Sequence, residues 1–577
     1  MDLILRNATV VDGGGGASFR GDIAVKDGRI AAIGKLAEQG KEEIDLQGAV
    51  AAPGFIDVHT HYDAQVFWDP LVSPSIFHGV TTFIGGNCGF TLAPLSGRPE
   101  DIDYLLRMLS RVEGMPLSTL RMALDPTWKS FGQYLDKVDG TLAINAAFLV
   151  GHSALRRAVM GDRAVGHEAT EAEIDAMCKL LGQSLAEGGM GFSSTLSLFH
   201  SDLEGQPVPS RWASHDELLR LARVVRDHPG TWLEIVLGKA MVEEDYKLLT
   251  DLSLAAQRPL NWNMLGIEAG RRPQMESQLA AGDYARERGG AIYALVTAVP
   301  PKVILNFMTG FVLDTIPDWI DVLILPHDEK ARALADSTTR AKLRAGYERI
   351  DTPYAKACFA DWNLQTIESV ATPGNQRWIG RSLGEYARSV GKDPLDALLD
   401  LAVEENLKFS FSPPLTGTDD ESWKMRAEAW QDARCLIGAS DAGAHVDMIN
   451  TFAFSTQLLS EGVRERGLLS LEEAVHRITG FPARRFGLTD RGRLQVGLAA
   501  DITVFDPATV ACGPVEVRTD LPGNEVRLYA DAVGVRHVIV NGVQVVRDGK
   551  ATGELGGRVL RSGKDTQSAS IGELAYT

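Results

Sequence analysis

Residues 51–63 read Ala-Ala-Pro-Gly-Phe-Ile-Asp-Val-His-Thr-His-Tyr-Asp. Phe55, Ile56 and Val58 make a short apolar run directly after Pro53-Gly54, a pattern that predicts a buried strand opening out of a turn. Side chains two apart on a strand share a face, so His59 and His61 are expected to project together from its C-terminal end. Two imidazoles on one face are a starting set for a first-row metal ion, most often zinc.

Outward from that strand, short apolar runs alternate with amphipathic stretches. Strands are expected at 55–59, 80–87, 144–151, 190–195, 231–237, 259–265, 291–297 and 435–440, with helices such as 170–187 and 214–227 between them. Eight strands in alternation with helices predict an α/β fold of the (β/α)8 TIM-like barrel type over 53–485. A long insertion, about 300–430, precedes the last strand, with helices near 328–349 and 382–405. An insertion of that size on a barrel is expected to be a lid or a substrate-recognition element.

Both ends of the chain read as strands. Leu3-Ile4-Leu5, Thr9-Val10-Val11, 22–25 and 30–33 lie within 1–52, and Asp27-Gly28 marks a hairpin. Runs at 500–505 and 535–546 lie within 486–577, where Asn541-Gly542 marks another. Neither end has enough strands for a stable sheet alone, so the two are expected to combine as one small discontinuous β-sandwich. The polar tail from about Gly556 is expected to be loosely held.

Composition narrows the partners. The chain has 577 residues and a formal net charge of −18, which argues against nucleic acid or an anionic membrane surface as partner. Cys88, Cys178, Cys358, Cys435 and Cys512 are scattered and odd in number, as expected of reduced thiols in a cytoplasmic protein. No apolar run approaches the ~18 residues of a membrane span. A small-molecule substrate is the expected partner, and a homo-oligomer is left open.

A barrel places its chemistry at the C-terminal ends of its strands. Those ends carry His59 and His61, then Cys88 between glycines (either a thiolate facing a metal or a small buried hydrophobe), then His152, and lastly Asp441 and His445 in Gly438-Ala-Ser-Asp-Ala-Gly-Ala-His445. Amide hydrolysis needs an activated water, a polarised carbonyl and a proton for the leaving nitrogen. A metal serves the first two needs, and a carboxylate beside the water serves the third. Asp441 is the best-placed carboxylate.

These segments resemble the N-acyl-D-amino-acid deacylase (D-aminoacylase) branch of the amidohydrolase superfamily. The resemblance runs through Pro53–Asp63, His78-Gly-Val-Thr-Thr82, Gly86-Asn-Cys-Gly-Phe90, Leu149–Arg156, Gly380-Arg-Ser-Leu383, Gly438–His445, Thr479–Arg484 and Gly497–Ile502. It implies hydrolysis of an N-acyl amino acid with one or two zinc ions. It also implies metal-ligand roles for His59, His61 and Cys88, and a ligand and proton-shuttle role for Asp441.

The pattern breaks where the family usually supplies a histidine from strand 5 and another from strand 6. Residues 231–237 and 260–266 contain none, and Glu234 and Asn263 are the nearest polar residues. One zinc ion is therefore expected rather than two, with Glu234 as an optional oxygen ligand. His152 and His445 are candidate ligands or substrate contacts, or else structural loop histidines. Arg377 and Arg381, by family position, and Arg156 are candidates for gripping a substrate carboxylate. A cyclic-amide hydrolase of the hydantoinase or dihydropyrimidinase kind is the alternative reaction, and a non-catalytic amidohydrolase-fold scaffold the alternative class.

Overall fold

The computed structural model describes residues 1–237, 241–350, 353–569 and 571, the side chains of 353, 354 and 357 excepted. It is a mixed α/β protein. Strands Phe55–Asp57, Val80–Gly85 and Asn145–Phe148 pair in parallel. After the single residue Leu149 the run continues in a six-stranded sheet. In order it holds Val150–Gly151, Gly191–Thr195, Trp232–Val236, Leu260–Asn263, Ile292–Val296 and Cys435–Ile437, again all parallel. A parallel bridge from Thr60 to Ala442 links the end of the first strand to the segment after the last. All eight expected strands are present, each shorter than its apolar run. They are buried along their whole length, which is why strands such as Val80–Gly85, Ile292–Val296 and Cys435–Ile437 read as near-continuous apolar stretches rather than alternating ones.

Gly54 begins the first strand because nothing larger fits: a Cβ there would lie 2.0 Å from Thr81 Oγ1. Asp57 and Ser440 then fasten the first strand to the segment after the last, with Ser440 Oγ 2.8 and 2.7 Å from the two Asp57 oxygens.

The two ends of the chain meet in one nine-stranded sheet. Val50–Pro53 pairs antiparallel with Ile502–Phe505, joining the N-terminal strands to the C-terminal ones. The two ends thus join as expected, through one continuous hydrogen-bonded sheet. Both hairpins turn as their sequences predict, since Asp27-Gly28 and Asn541-Gly542 have positive φ at both positions. The tail expectation fails over 557–569: Leu560 is fully buried and its N–H donates to Ala146 O at 2.8 Å, while Gly557 N–H reaches Leu142 O. Residues 570 and 572–577 lie outside the described residues.

The insertion builds a core of its own around Phe307, Trp319, Trp362 and Phe411. Each of its two expected helices is split. Asp336 ends His327–Ala335 and caps Ser337–Tyr347 by accepting from Thr339 N–H. Gly391, left-handed, ends Leu383–Val390 before Pro394 opens the next helix. Among the described residues no helix is long and apolar enough to cross a membrane.

Candidate metal centre

His59, His61 and Cys88 converge as the strand periodicity requires, with one ligand atom of each within 4.8 Å of the others. Cys88 Sγ lies 3.5 Å from His59 Nε2 and 3.7 Å from His61 Nε2. Asp441 Oδ1 closes the group from the adjoining segment after the last strand, 3.1 Å from His59 Nε2 and 3.3 Å from His61 Nε2. A tetrahedral ion with Zn–N of about 2.0–2.1 Å and Zn–S of about 2.3 Å spaces its ligand atoms roughly 3.3–3.7 Å apart. The Cys88 and Asp441 contacts to the two imidazoles lie close to those spacings; His59, His61 and Cys88 form the mutually close group, and Asp441 joins it through the two histidines.

Charge makes the same point. Asp57, Glu113 and Glu234 are buried and Asp441 is partly buried, yet among the described residues neither lysine nor arginine pairs with any of the four. An uncompensated buried ion costs several kcal/mol, so these carboxyls either take a proton or are offset by a cation. Burial pushes Glu234 and Asp57 each up to about 7. Burial also pushes Glu113 and the Cys88 thiol well up, with the neighbouring carboxylates adding to it. A divalent cation reverses that trend and takes a coordinating thiol as thiolate. Burial works to raise Asp441 too, but its hydrogen bonds with His59 and His61 prevail and hold it well below the ordinary carboxylate range.

The backbone is specialised at the same positions. Cys88 and Asp441 both have positive φ, 57° and 51°, which costs of order 1–3 kcal/mol each and is kept where the surroundings enforce it. Gly443, at φ 89°, lets the last loop pass against the first: a Cβ there would lie 2.7 Å from Tyr62 Cδ1.

The remaining expected site residues divide. Glu234 does not point into the cluster. Its Oε2 accepts from Cys88 N–H at 2.8 Å, its Oε1 accepts from Asn263 Nδ2 at 3.0 Å, and it meets His59 only on the Nδ1 side, at 4.0 Å. It stands behind the ligands, so its role as an oxygen ligand is corrected to one of support. Asn263 completes that support, with Nδ2 2.8 Å from His59 Nδ1. His152 is not a substrate contact: it is fully buried, with Nδ1 2.9 Å from Ser194 Oγ and Nε2 2.8 Å from Glu217 Oε1. Arg156 is spent on the same Glu217. Arg377 and Arg381 are not brought to the cluster either. Both are exposed, the first over the Trp378 ring and the second beside Glu385, because their segment lies on the outside of the insertion. His445 is at the site, its ring stacked on Phe311 of the insertion and its Nε2 3.9 Å from Glu113 Oε2. Burial pushes its imidazole down to about 4.

Two residues at the site escaped the sequence reading. Glu113 caps the C-terminal end of helix Pro99–Val112 and puts Oε1 3.4 Å from His61 Nδ1. An acid at the negative end of a helix dipole is locally unfavourable, and that is the signal it offered. His200, in the loop after Gly191–Thr195, feels the charges of His445, His61 and Asp441. It lay in a stretch without recognisable motif.

A family model described as "Amidohydrolase family" matches residues 42–546. The chain belongs to the amidohydrolase family. It is a hydrolase of carbon–nitrogen bonds other than peptide bonds. Among curated relatives, an N-acyl-D-aspartate deacylase of Alcaligenes xylosoxydans xylosoxydans is 29% identical, over 97% of this chain and 95% of the relative. A D-aminoacylase of the same organism is also 29% identical, over 97% of each chain. A solved N-acyl-D-glutamate deacylase from Bordetella bronchiseptica, complexed with zinc and a phosphonate inhibitor, superposes with a TM-score of 0.64 at 26% identity, covering 97% of this chain and 100% of that one. A metal cofactor in this family member accords with both the donor set and that relative.

Proposed function

We propose that this amidohydrolase cleaves the amide bond of an N-acyl amino acid, with one zinc ion held by His59, His61, Cys88 and Asp441. The observation that carries the reading is the spacing of those four ligand atoms, 3.1–3.7 Å along the contacts between them. One ion is favoured over two because Glu234 and Asn263, on the strands that carry histidines in the family pattern, are spent on each other, on Cys88 N–H and on His59. The eight parallel strand positions are read as a closed barrel over 53–485, with 1–52 and 486–577 as its companion sheet and about 300–430 as a lid. All five cysteines are free, which supports a reducing, cytoplasmic setting.

When bound, such an ion lowers the pKa of water and polarises the amide carbonyl. The protein's own groups do the rest. His59 and His61 are 2% exposed and fixed, whereas the Asp441 side chain is 38% exposed and meets incoming substrate. Asp441 is ionised, so it can take the proton from the attacking water and return it to the leaving nitrogen. His445 and Phe311 form the wall beside it, where the lid meets the site.

Asp441→Asn tests the assignment. The variant is expected to fold normally and to lose at least about 100-fold in kcat on N-acyl amino acids, the scale of a general acid–base group. Metal analysis of the wild type is expected to give one zinc per chain. Near-normal turnover in Asp441→Asn removes Asp441 as the proton carrier, and a metal-free protein under every reconstitution removes the reading itself.

A further inference from the structure

Residues 196–213 bring His200 beside Phe90 and within the charge field of His61, His445 and Asp441, and they form a folded loop, not a slack one. Asp202 Oδ1 accepts from the N–H groups of Glu204 and Gln206, Ser201 bridges Pro207, and Tyr104 donates to Asp202 Oδ2 at 3.0 Å. Tyr104 lies on the same helix whose end carries Glu113, so loop and cluster share one support.

Two side chains of this loop have unused binding capacity. The first is Arg211, half-buried, whose Nη1 donates to the carbonyls of His200 at 3.1 Å and Leu198 at 3.5 Å. Both loop acids are engaged elsewhere, Asp202 with Tyr104 and Glu204 with Arg107. Among the described residues no carboxylate pairs with Arg211, and burial alone pushes its guanidinium down. Such a guanidinium, half-buried and without an acid beside it, is free to pair with an incoming carboxylate. The second is His200. Its ring stands 5.1 Å from Phe90, two residues beyond Cys88, and its Nδ1 is 2.8 Å from Thr195 Oγ1. That hydroxyl already accepts Ser197 N–H at 3.1 Å and is fully buried, so its proton goes to His200 Nδ1. The tautomer is then fixed: Nε2 carries the hydrogen. Burial keeps the ring neutral by pushing it down to about 3.

We propose that Arg211 and His200 form the subsite for the substrate's carboxylate, Arg211 supplying the positive charge and His200 Nε2–H a neutral hydrogen bond. This rests on the reading of the substrate as an N-acyl amino acid. It places the carboxylate grip on the loop after the Gly191–Thr195 strand, not on Arg377 or Arg381.

The probes are N-acetyl-D-leucine and its carboxamide, which differ only in that charge. Arg211→Met is expected to raise KM for the acid about 10- to 100-fold, the worth of a charge-assisted hydrogen bond, and to change the carboxamide's by less than about 2-fold. Arg211→Lys is expected to recover part of the loss. Equal effects on both probes, or none on the acid, overturn the subsite. If the wild type hydrolyses neither probe, the proposed reaction fails and calorimetry still judges the subsite. Acid bound at least about 10-fold tighter than carboxamide by wild type, and equally by Arg211→Met, supports it. Equal binding of the two probes to the wild type, or binding of neither, overturns it.

Discussion

His61 depends on a residue that makes no contact with the ligand cluster's centre. Its Nδ1 is buried and without a hydrogen bond, while Glu113 Oε1 waits 3.4 Å away. A histidine that ligates through Nε2 carries its proton on Nδ1 and donates it to a carboxylate behind, which fixes the ring and raises its basicity. His59 is placed differently: the Asn263 amide nitrogen lies 2.8 Å from its Nδ1 and donates to Glu234 Oε1, which is itself 4.0 Å from that ring nitrogen. Of the two histidines, His61 is the one with a carboxylate within reach of Nδ1. Glu113→Gln is expected to leave the fold intact and weaken metal affinity about 10- to 100-fold, as read from zinc competition with a chelator. Wild-type affinity in that variant would show that the carboxylate does not orient His61. The four proposed ligands were legible because each lies at a strand end and within a short motif. Glu113 was not, since only the docking of a helix across more than fifty residues of chain brings it to His61.

At the scale of elements, what the sequence revealed follows periodicity, and what it hid follows long-range packing. The strands are buried on both faces and most are largely apolar, so their runs announce them. Glu234 could be placed on its strand, but the half-turn of orientation that separates a ligand from a support depends on the register with Ser193 and Asn261. Helices 328–349 and 382–405 were read as continuous because their apolar spacing runs through the breaks; Asp336 and the Gly391–Pro394 pair decide the splits locally. The tail was misread because polar composition masked Val559 and Leu560, which pack beside the Asn145–Phe148 strand. Removing residues 557–577 takes away the two buried apolar side chains of Val559 and Leu560 and leaves the carbonyls of Leu142 and Ala146 without their N–H donors. At about 1.5–3 kcal/mol for each fully buried side chain, the truncated protein is expected to lose several kcal/mol. Its thermal transition should fall by several degrees or the chain should aggregate. An unchanged transition would mean that the tail is a passenger.

For the whole molecule, the decisive joints are those that tie the terminal segments to the parallel strands, and one of them is sensitive to acid. His78 sits at the entry to the Val80–Gly85 strand, fully buried, with Nδ1 2.7 Å from Thr456 Oγ1 and Nε2 3.0 Å from Ala530 O. It joins the second strand of the site to a late helix and to the C-terminal segment at once. Burial pushes its imidazole from 6.5 down to about 4. Between those values the unfolded chain binds a proton that the native chain refuses, so the native state loses stability as pH falls from 6.5 toward 4 and loses no more from this group below that. At ~1.4 kcal/mol per pH unit, the full contribution is on the order of 3 kcal/mol. The Asp57–Ser440 latch does not share this direction, because a carboxyl pushed up to about 7 favours the native state as pH falls. His78→Gln removes the titrating group and keeps a polar side chain of similar reach. Denaturant titrations from pH 7 to 4 are expected to show the variant losing stability less steeply than the wild type across that window, whatever the other groups contribute to both. Parallel curves would show that this histidine does not set the acid limit of the fold.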